Sequence, residues 1–146
     1  MTLQGTLIGF DFGERRIGVA VGETETGIAN PLGAIDAEAN EARFREIGKL
    51  VDEWHPAAFV VGRPRHADDS EHVVAKLAEK FARRLRARYN VPVVMIDETL
   101  TSATAEASLR DSRVGTRRKS DVDAVAAAII LQSYLDDPDS GEHAAS

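Results

Sequence analysis

The hydrophobic spacing changes partway along this chain, and that change limits what it can fold into. Residues 6–11 (TLIGFD) and 17–22 (IGVAVG) are short apolar runs rich in β-branched residues, joined by GERR at 13–16. A third run covers about 27–35, GIANPLGAI. Short runs with short connections predict an antiparallel meander of three strands. The spacing then becomes helical: Phe44, Ile47, Leu50, Val51 and Trp54 predict an amphipathic helix over 41–54. AAFVVG (57–62) and VPVVMID (91–97) read as short buried strands. Between them, Val73, Val74, Leu77, Phe81, Leu85 and Tyr89 mark a helix over about 70–89, with Asp69 or Ser70 placed as its N-cap. Thr101 or Ser102 is placed to cap a helix over about 103–111, and a last helix covers about 121–135. The order β-β-β-α-β-α-β-α-α predicts an α/β domain: a five-stranded mixed sheet, meander first and βαβ units after, with helices on its faces. Right-handed crossovers would set strands one, four and five side by side and parallel.

The 146 residues make one ordinary domain, expected over 1–136, followed by an acidic tail at 137–146 expected to be disordered. The chain has no cysteine, which excludes disulfides, thiol nucleophiles and Cys-based zinc sites. The N-terminal MTLQGTLIGFD has neither a basic segment nor a long apolar one, and no apolar run approaches the roughly 18 residues of a membrane span. A cytoplasmic protein with no membrane partner is therefore expected. The formal charge of −6 argues at first against a nucleic-acid partner, but its distribution is uneven. Asp136, Asp137, Asp139 and Glu142 lie in the last eleven residues without any Lys or Arg; setting them aside leaves −2. Basic residues cluster at Arg63 and Arg65, at Arg83, Arg84, Arg86 and Arg88, and at Arg113, Arg117, Arg118 and Lys119. Local patches matter more than the total for phosphate binding. The 83–88 group reads as a solvated helix face; the 113–119 group, with Gly115 and no apolar stripe, reads as a basic loop.

The acids fall where chemistry is expected. Asp11 ends the first strand, and Asp97 and Glu98 end the fifth; open α/β sheets bind ligands at the carboxyl ends of parallel strands. Asp123 leads a helix face that continues through Ala127, Ile130 and Tyr134, an unusual place for a carboxylate unless something offsets its burial. Ser120-x-x-Asp123 also fits a helix-capping motif, and the spacing does not separate the two readings. Several carboxylates with no Cys and few His suit a hard cation, Mg²⁺ or Mn²⁺, in phosphodiester hydrolysis without a covalent intermediate. Of the four histidines, only His66 is placed where it could line the site edge. Asp11-Phe12-Gly13 matches the kinase DFG, but no kinase catalytic loop accompanies it; glycines 9, 13 and 18 do not form a dinucleotide fingerprint.

Four segments together resemble one family: GFDFGERRIGVAVG (9–22), VVGRPRHADDSE (60–71), DETLTSATAE (97–106) and KSDVDAVAAAIILQSYLD (119–136). The chain resembles the YqgF-type family of Holliday junction resolvase-like proteins, usually described as pre-16S rRNA nucleases, over about residues 6–136. The resemblance implies an RNase H-like fold and a catalytic, metal-binding trio of Asp11, Glu98 and Asp123. It also implies a cytoplasmic role in maturing the 5′ end of small-subunit ribosomal RNA, with ribosomal particles as possible partners. The chain departs from the family pattern at Arg63-Pro64-Arg65, where Leu-Pro-Leu is usual, at Asp69, where Gly is usual, and at Thr99, where Arg is usual.

Arg16, Arg63, Arg65, Arg117, Arg118 and Lys119 are the candidates for phosphate contacts, which position nucleic acid without reading its sequence. Asp97 is assigned a supporting role, because neighbouring strand residues point to opposite faces. Alternatives are a DNA resolvase acting on branched duplexes as a symmetric dimer, an actin-like phosphotransferase, and a non-catalytic ribosome-assembly module. Monomer and homodimer both remain open.

Overall fold

The computed structural model describes residues 3–64, 69–98 and 119–143. β1 (Thr6–Asp11) pairs antiparallel with β2 (Arg16–Glu23), and β2 pairs antiparallel with β3 (Ile28–Asp36), with a bulge between Val19 and Ala20. Helix α1 (Asn40–Trp54) leads to β4 (Ala58–Pro64), which lies parallel to β1. Helix α2 (Asp69–Tyr89) leads to β5 (Val93–Glu98), parallel to β4. Helix α3 (Lys119–Asp136) follows. The sheet order is β3-β2-β1-β4-β5, the mixed topology read from the sequence, with strands one, four and five adjacent and parallel. The helix expected over 103–111 lies outside the described residues.

A two-residue strand is added at the edge of the expected five-stranded sheet. Asp136 ends α3, Pro138–Ser140 forms a 3-10 turn, and Glu142–His143 (β6) pairs antiparallel with Val94 and Met95 of β5. Residues 138–143 thus have regular structure that composition did not announce, because two strand residues carry no periodicity.

Strand alternation builds two cores from one sheet. Ile8, Phe10, Ile17, Val19, Phe59, Val61 and Met95 point to the face covered by α1 and α2, where they meet Phe44, Ile47, Phe81 and Leu85. Phe10 packs at 5.6 Å and 88° against Phe81 and at 5.7 Å against Phe59. Leu7, Ala20, Ala58, Val60, Val94 and Ile96 point to the other face, covered among the described residues by α3 through Ala127, Ile130, Leu131 and Tyr134. Helix α3 is alanine-rich and apolar on nearly all sides because it lies against every strand from β1 to β5. Among the described residues no helix is long and apolar enough to cross a membrane.

Candidate active site

Asp11 closes β1 in register with Gly18 of β2 and Gly62 of β4, and Gly62 is in register with Ile96 of β5. Asp11 shares parity with Leu7, so it lies on the α3 face of the sheet. No side chain stands beside it on either neighbouring strand, since both partners are glycine. That gap lets α3 approach. A Cβ at position 18 would sit 2.0 Å from the backbone oxygen of Asp123 and 3.1 Å from its Cβ, so only glycine leaves the helix room. Asp123 is thereby held over β2, one strand from Asp11.

A second constraint fixes its carboxylate. Arg16, two residues before Gly18 on the same face of β2, donates from Nε to Asp123 Oδ2 at 2.8 Å. Both side chains keep about a quarter of their surface exposed, 25% and 26%. The hydrogen bond to Asp123 holds the Arg16 guanidinium above its usual pKa, against a smaller opposing effect of desolvation; the charges of Asp123 and Asp36 add to it. Ser120 lies within α3 (Lys119–Asp136) and so is not at an N-cap position, with Asp123 about a turn further along the helix. Its carboxylate serves Arg16 rather than a capping box.

Glu98 is the last residue of β5, two beyond Ile96, which gives position 98 the same parity as Ile96 and Asp11. Asp97 has the opposite parity and meets Arg63, its register partner on β4. Arg63 Nε donates to Asp97 Oδ1 at 2.7 Å, and Nη1 donates to Glu79 Oε1 of α2 at 3.3 Å. The supporting place expected for Asp97 agrees with this. Arg63, expected to contact phosphate, lies on the α2 face and bonds to both acids. Lys119 opens α3, and Arg65, Arg117, Arg118 and His66 lie outside the described residues. Among the described residues no three Asp, Glu or His side chains gather closely enough to hold a metal ion. Of the three expected catalytic acids, Asp123 is the one whose side-chain partner is described.

One residue of the site's framework escaped the sequence reading. Arg43 of α1 is 3% exposed and is the buried charged residue among those described. Its Nη2 donates to the carbonyls of Gly13 at 2.7 Å and Glu14 at 2.6 Å, and its Nε donates to that of Ala37 at 2.5 Å. The guanidinium lies 5.3 Å from the centroid of Phe12. Burial lowers its pKa, partly offset by Glu38 and Glu14. Arg43 thus fixes the β1–β2 turn whose two ends carry Asp11 and Arg16. The available signal was its place four residues before Ile47 and seven before Leu50, a charge on the apolar stripe.

A three-stranded meander running into parallel βαβ strands, with acids at the carboxyl edge, defines the class of RNase H-like nuclease folds. The fold is similar to that of Thermus thermophilus RuvC in complex with a Holliday junction substrate, with a TM-score of 0.60 at 15% identity, covering 95% of this chain and 99% of that one. A second Thermus thermophilus RuvC structure gives a TM-score of 0.54 at 15% identity, covering 94% of this chain and 99% of that one. The family model described as "RuvX: Holliday junction resolvase" matches residues 5–137, and the chain belongs to that family. Relatives named pre-16S rRNA nuclease occur in Methylobacillus flagellatus, 52% identical over 134 residues (91% of this chain, 92% of the relative), and in Dechloromonas aromatica, 53% identical over 135 residues (92% of each). A third, from Neisseria gonorrhoeae, is 48% identical over 134 residues, covering 91% of this chain and 89% of its own length. By family the protein is a hydrolytic nuclease.

Proposed function

We propose that this protein is a divalent-metal-dependent endonuclease that cuts a precursor of 16S ribosomal RNA in the cytoplasm, with Asp11, Glu98 and Asp123 as its catalytic residues. The observation that carries the reading is the convergence of Asp11 and Asp123 on one sheet face at the carboxyl edge of β1, where Gly18 leaves room for α3 to bring Asp123 close. The donor set fits a hard cation: carboxylate oxygens only, with no cysteine in the chain. Asp11 and Asp123 would hold Mg²⁺ or Mn²⁺, with Glu98 as third ligand. Bound there, the ion would lower the pKa of a water and stabilise charge on the phosphate oxygens.

The chain's own residues do the rest. Asp11, at a strand end, is a short and stiff ligand. Asp123 offers Oδ1, since Oδ2 is engaged by Arg16. Arg16 makes no other hydrogen bond among the described residues, so its Nη groups remain to bind a phosphate oxygen. Arg65, Arg117, Arg118 and Lys119 would extend that phosphate contact, and ribosomal particles are the natural setting for the substrate.

The same residues would serve a resolvase, and the resolvase description of the family favours that second reading. Cleavage of an end-labelled 16S rRNA precursor and of a four-way DNA junction, each with Mg²⁺ or Mn²⁺, separates them. Wild type is expected to cut the RNA, and Asp11→Asn to lose about 10²–10³-fold in rate, as when a group stabilising developing charge is removed. Cutting of the junction alone transfers the site to branched DNA. Equal cutting by Asp11→Asn refutes the assignment of Asp11.

A further inference from the structure

The chain carries a formal −6, yet residues 76–88 of α2 contain six cations and one acid, a formal +5 that leaves −11 on the remainder. Lys76, Lys80 and Arg83 are exposed and Arg84 is half-exposed, while Ala78, Phe81, Ala82 and Leu85 are buried on the opposite side of the same helix. At 100° and 1.5 Å per residue the four cations fall within an arc of about 100°, and 76, 80 and 84 rise by about 6 Å each. They form one stripe along the outer face.

A bland explanation covers part of this. Cations in the last turn favour the helix dipole, which accounts for Arg86 and Arg88. Both also have partners: Arg86 donates to Asn90 Oδ1 at 2.8 Å, and Arg88 lies 4.5 Å over the Phe44 ring. The dipole does not reach Lys76, Lys80, Arg83 and Arg84, in the body of the helix. None of these four has an ion pair among the described residues, and the acid among them, Glu79, is held by Arg63. The neighbouring helix shows no such bias: the exposed residues of α1 include Glu41, Glu46, Asp52 and Glu53 beside Arg45 and Lys49. Four cations in a row with no ion pair among the described residues, on an acidic protein, repel one another unless a polyanion covers them.

The position is as telling as the charge. Helix α2 follows β4 and precedes the parallel β5, so it starts at the carboxyl edge that carries Asp11 and runs back down the molecule. From 76 to 84 the stripe spans about 12 Å. Nucleic acid crossing the catalytic edge can continue along it on the α2 side of the sheet, opposite α3.

We propose that the α2 stripe is a second nucleic-acid contact surface, which binds the phosphate backbone of a substrate arm away from the cut. The inference rests on the nuclease reading for its biological setting, and its test does not need cleavage.

The test compares Asp11→Asn protein with the same protein carrying Lys76→Gln, Lys80→Gln and Arg83→Gln. Binding is followed by fluorescence anisotropy without divalent metal, across a series of monovalent salt concentrations. The probes are single-stranded RNA, duplex RNA and duplex DNA, each long enough to pass beyond the edge. A control for loss of surface charge carries Arg45→Gln and Lys49→Gln on α1, which removes both exposed cations of that helix. If three phosphate contacts are lost, the slope of log affinity against log salt becomes shallower by about 2–3, and affinity at low salt falls roughly tenfold or more. All substituted side chains are exposed, so thermal midpoints are expected to match. Loss with any probe supports the surface, and the probe most affected names the substrate arm. Unchanged slopes with all three probes overturn it, as does an equal loss in the α1 control. Absence of cleavage in the wild type would sink the nuclease reading and leave this measurement standing.

Discussion

Gly18, Arg16 and Arg43 show how few side chains hold the candidate site in place. Gly18→Ala puts a Cβ 2.0 Å from the backbone oxygen of Asp123, with backbone rather than a flexible side chain in its way. The first turn of α3 must move, at about 1–3 kcal/mol, and Asp123 moves with it. Gly33→Ala is the matched control: a Cβ there meets nothing within 4 Å, so its midpoint and its cleavage are expected to stay at wild-type values. Urea unfolding of both, beside the cleavage assay, checks the contrast. Arg43→Met leaves the carbonyls of Gly13, Glu14 and Ala37 without their donor. A loss of about 2–5 kcal/mol is expected, with Arg43→Lys falling between, because Lys cannot present the planar fork. Asp11 and Asp123 were legible because a carboxylate that ends an apolar strand, or leads an apolar helix face, is conspicuous. Their partners were not. Arg16 stood among generic phosphate ligands, and only the register with Gly18 shows that its Nε reaches Asp123. Arg63 was drawn to the site by its place in the chain, and strand parity puts it on the other face with Asp97 and Glu79.

At the scale of elements, the meander, α1, β4, α2, β5 and α3 were all readable, because each carries a periodicity several residues long. Ser120 lies within α3 rather than ahead of it, which takes it out of the capping position. β6 was not readable: it is two residues long, and its placement depends on close contact rather than propensity. A Cβ at Gly141 would lie 2.2 Å from Val94 Cγ1, so the chain can cross β5 there only as glycine. Gly141→Val is therefore expected to lift residues 142–143 off β5. Hydrogen exchange should show it as at least roughly tenfold faster exchange at Glu142 and His143, with α1 and β1 unaffected. Unchanged protection at those two amides would show that β6 is held by something other than this contact.

For the whole molecule, the uneven charge sets how it meets polyanions, and the two cores set how it meets pH. The chain has two tyrosines, Tyr89 and Tyr134, and burial raises the pKa of both, with Arg88 partly opposing the shift at Tyr89. The folded state therefore holds these protons more tightly than the unfolded chain. Their contribution to stability is complete below the usual tyrosine value near 10 and is lost as pH rises through the folded values. Phenolate absorbance of the folded protein should titrate above that of the urea-unfolded chain; coincident curves would contradict the burial of both rings. The central claim, that Asp11 and Asp123 belong to one metal-binding nuclease site, is tested most directly by crystals soaked in Mn²⁺ and measured for anomalous scattering. A peak at the carboxyl edge of β1, bonded to oxygens of Asp11 and Asp123 and absent from Asp11→Asn crystals, is the expected result. Crystals that bind Mn²⁺ elsewhere, or that leave both carboxylates without metal at saturating concentration, would contradict it.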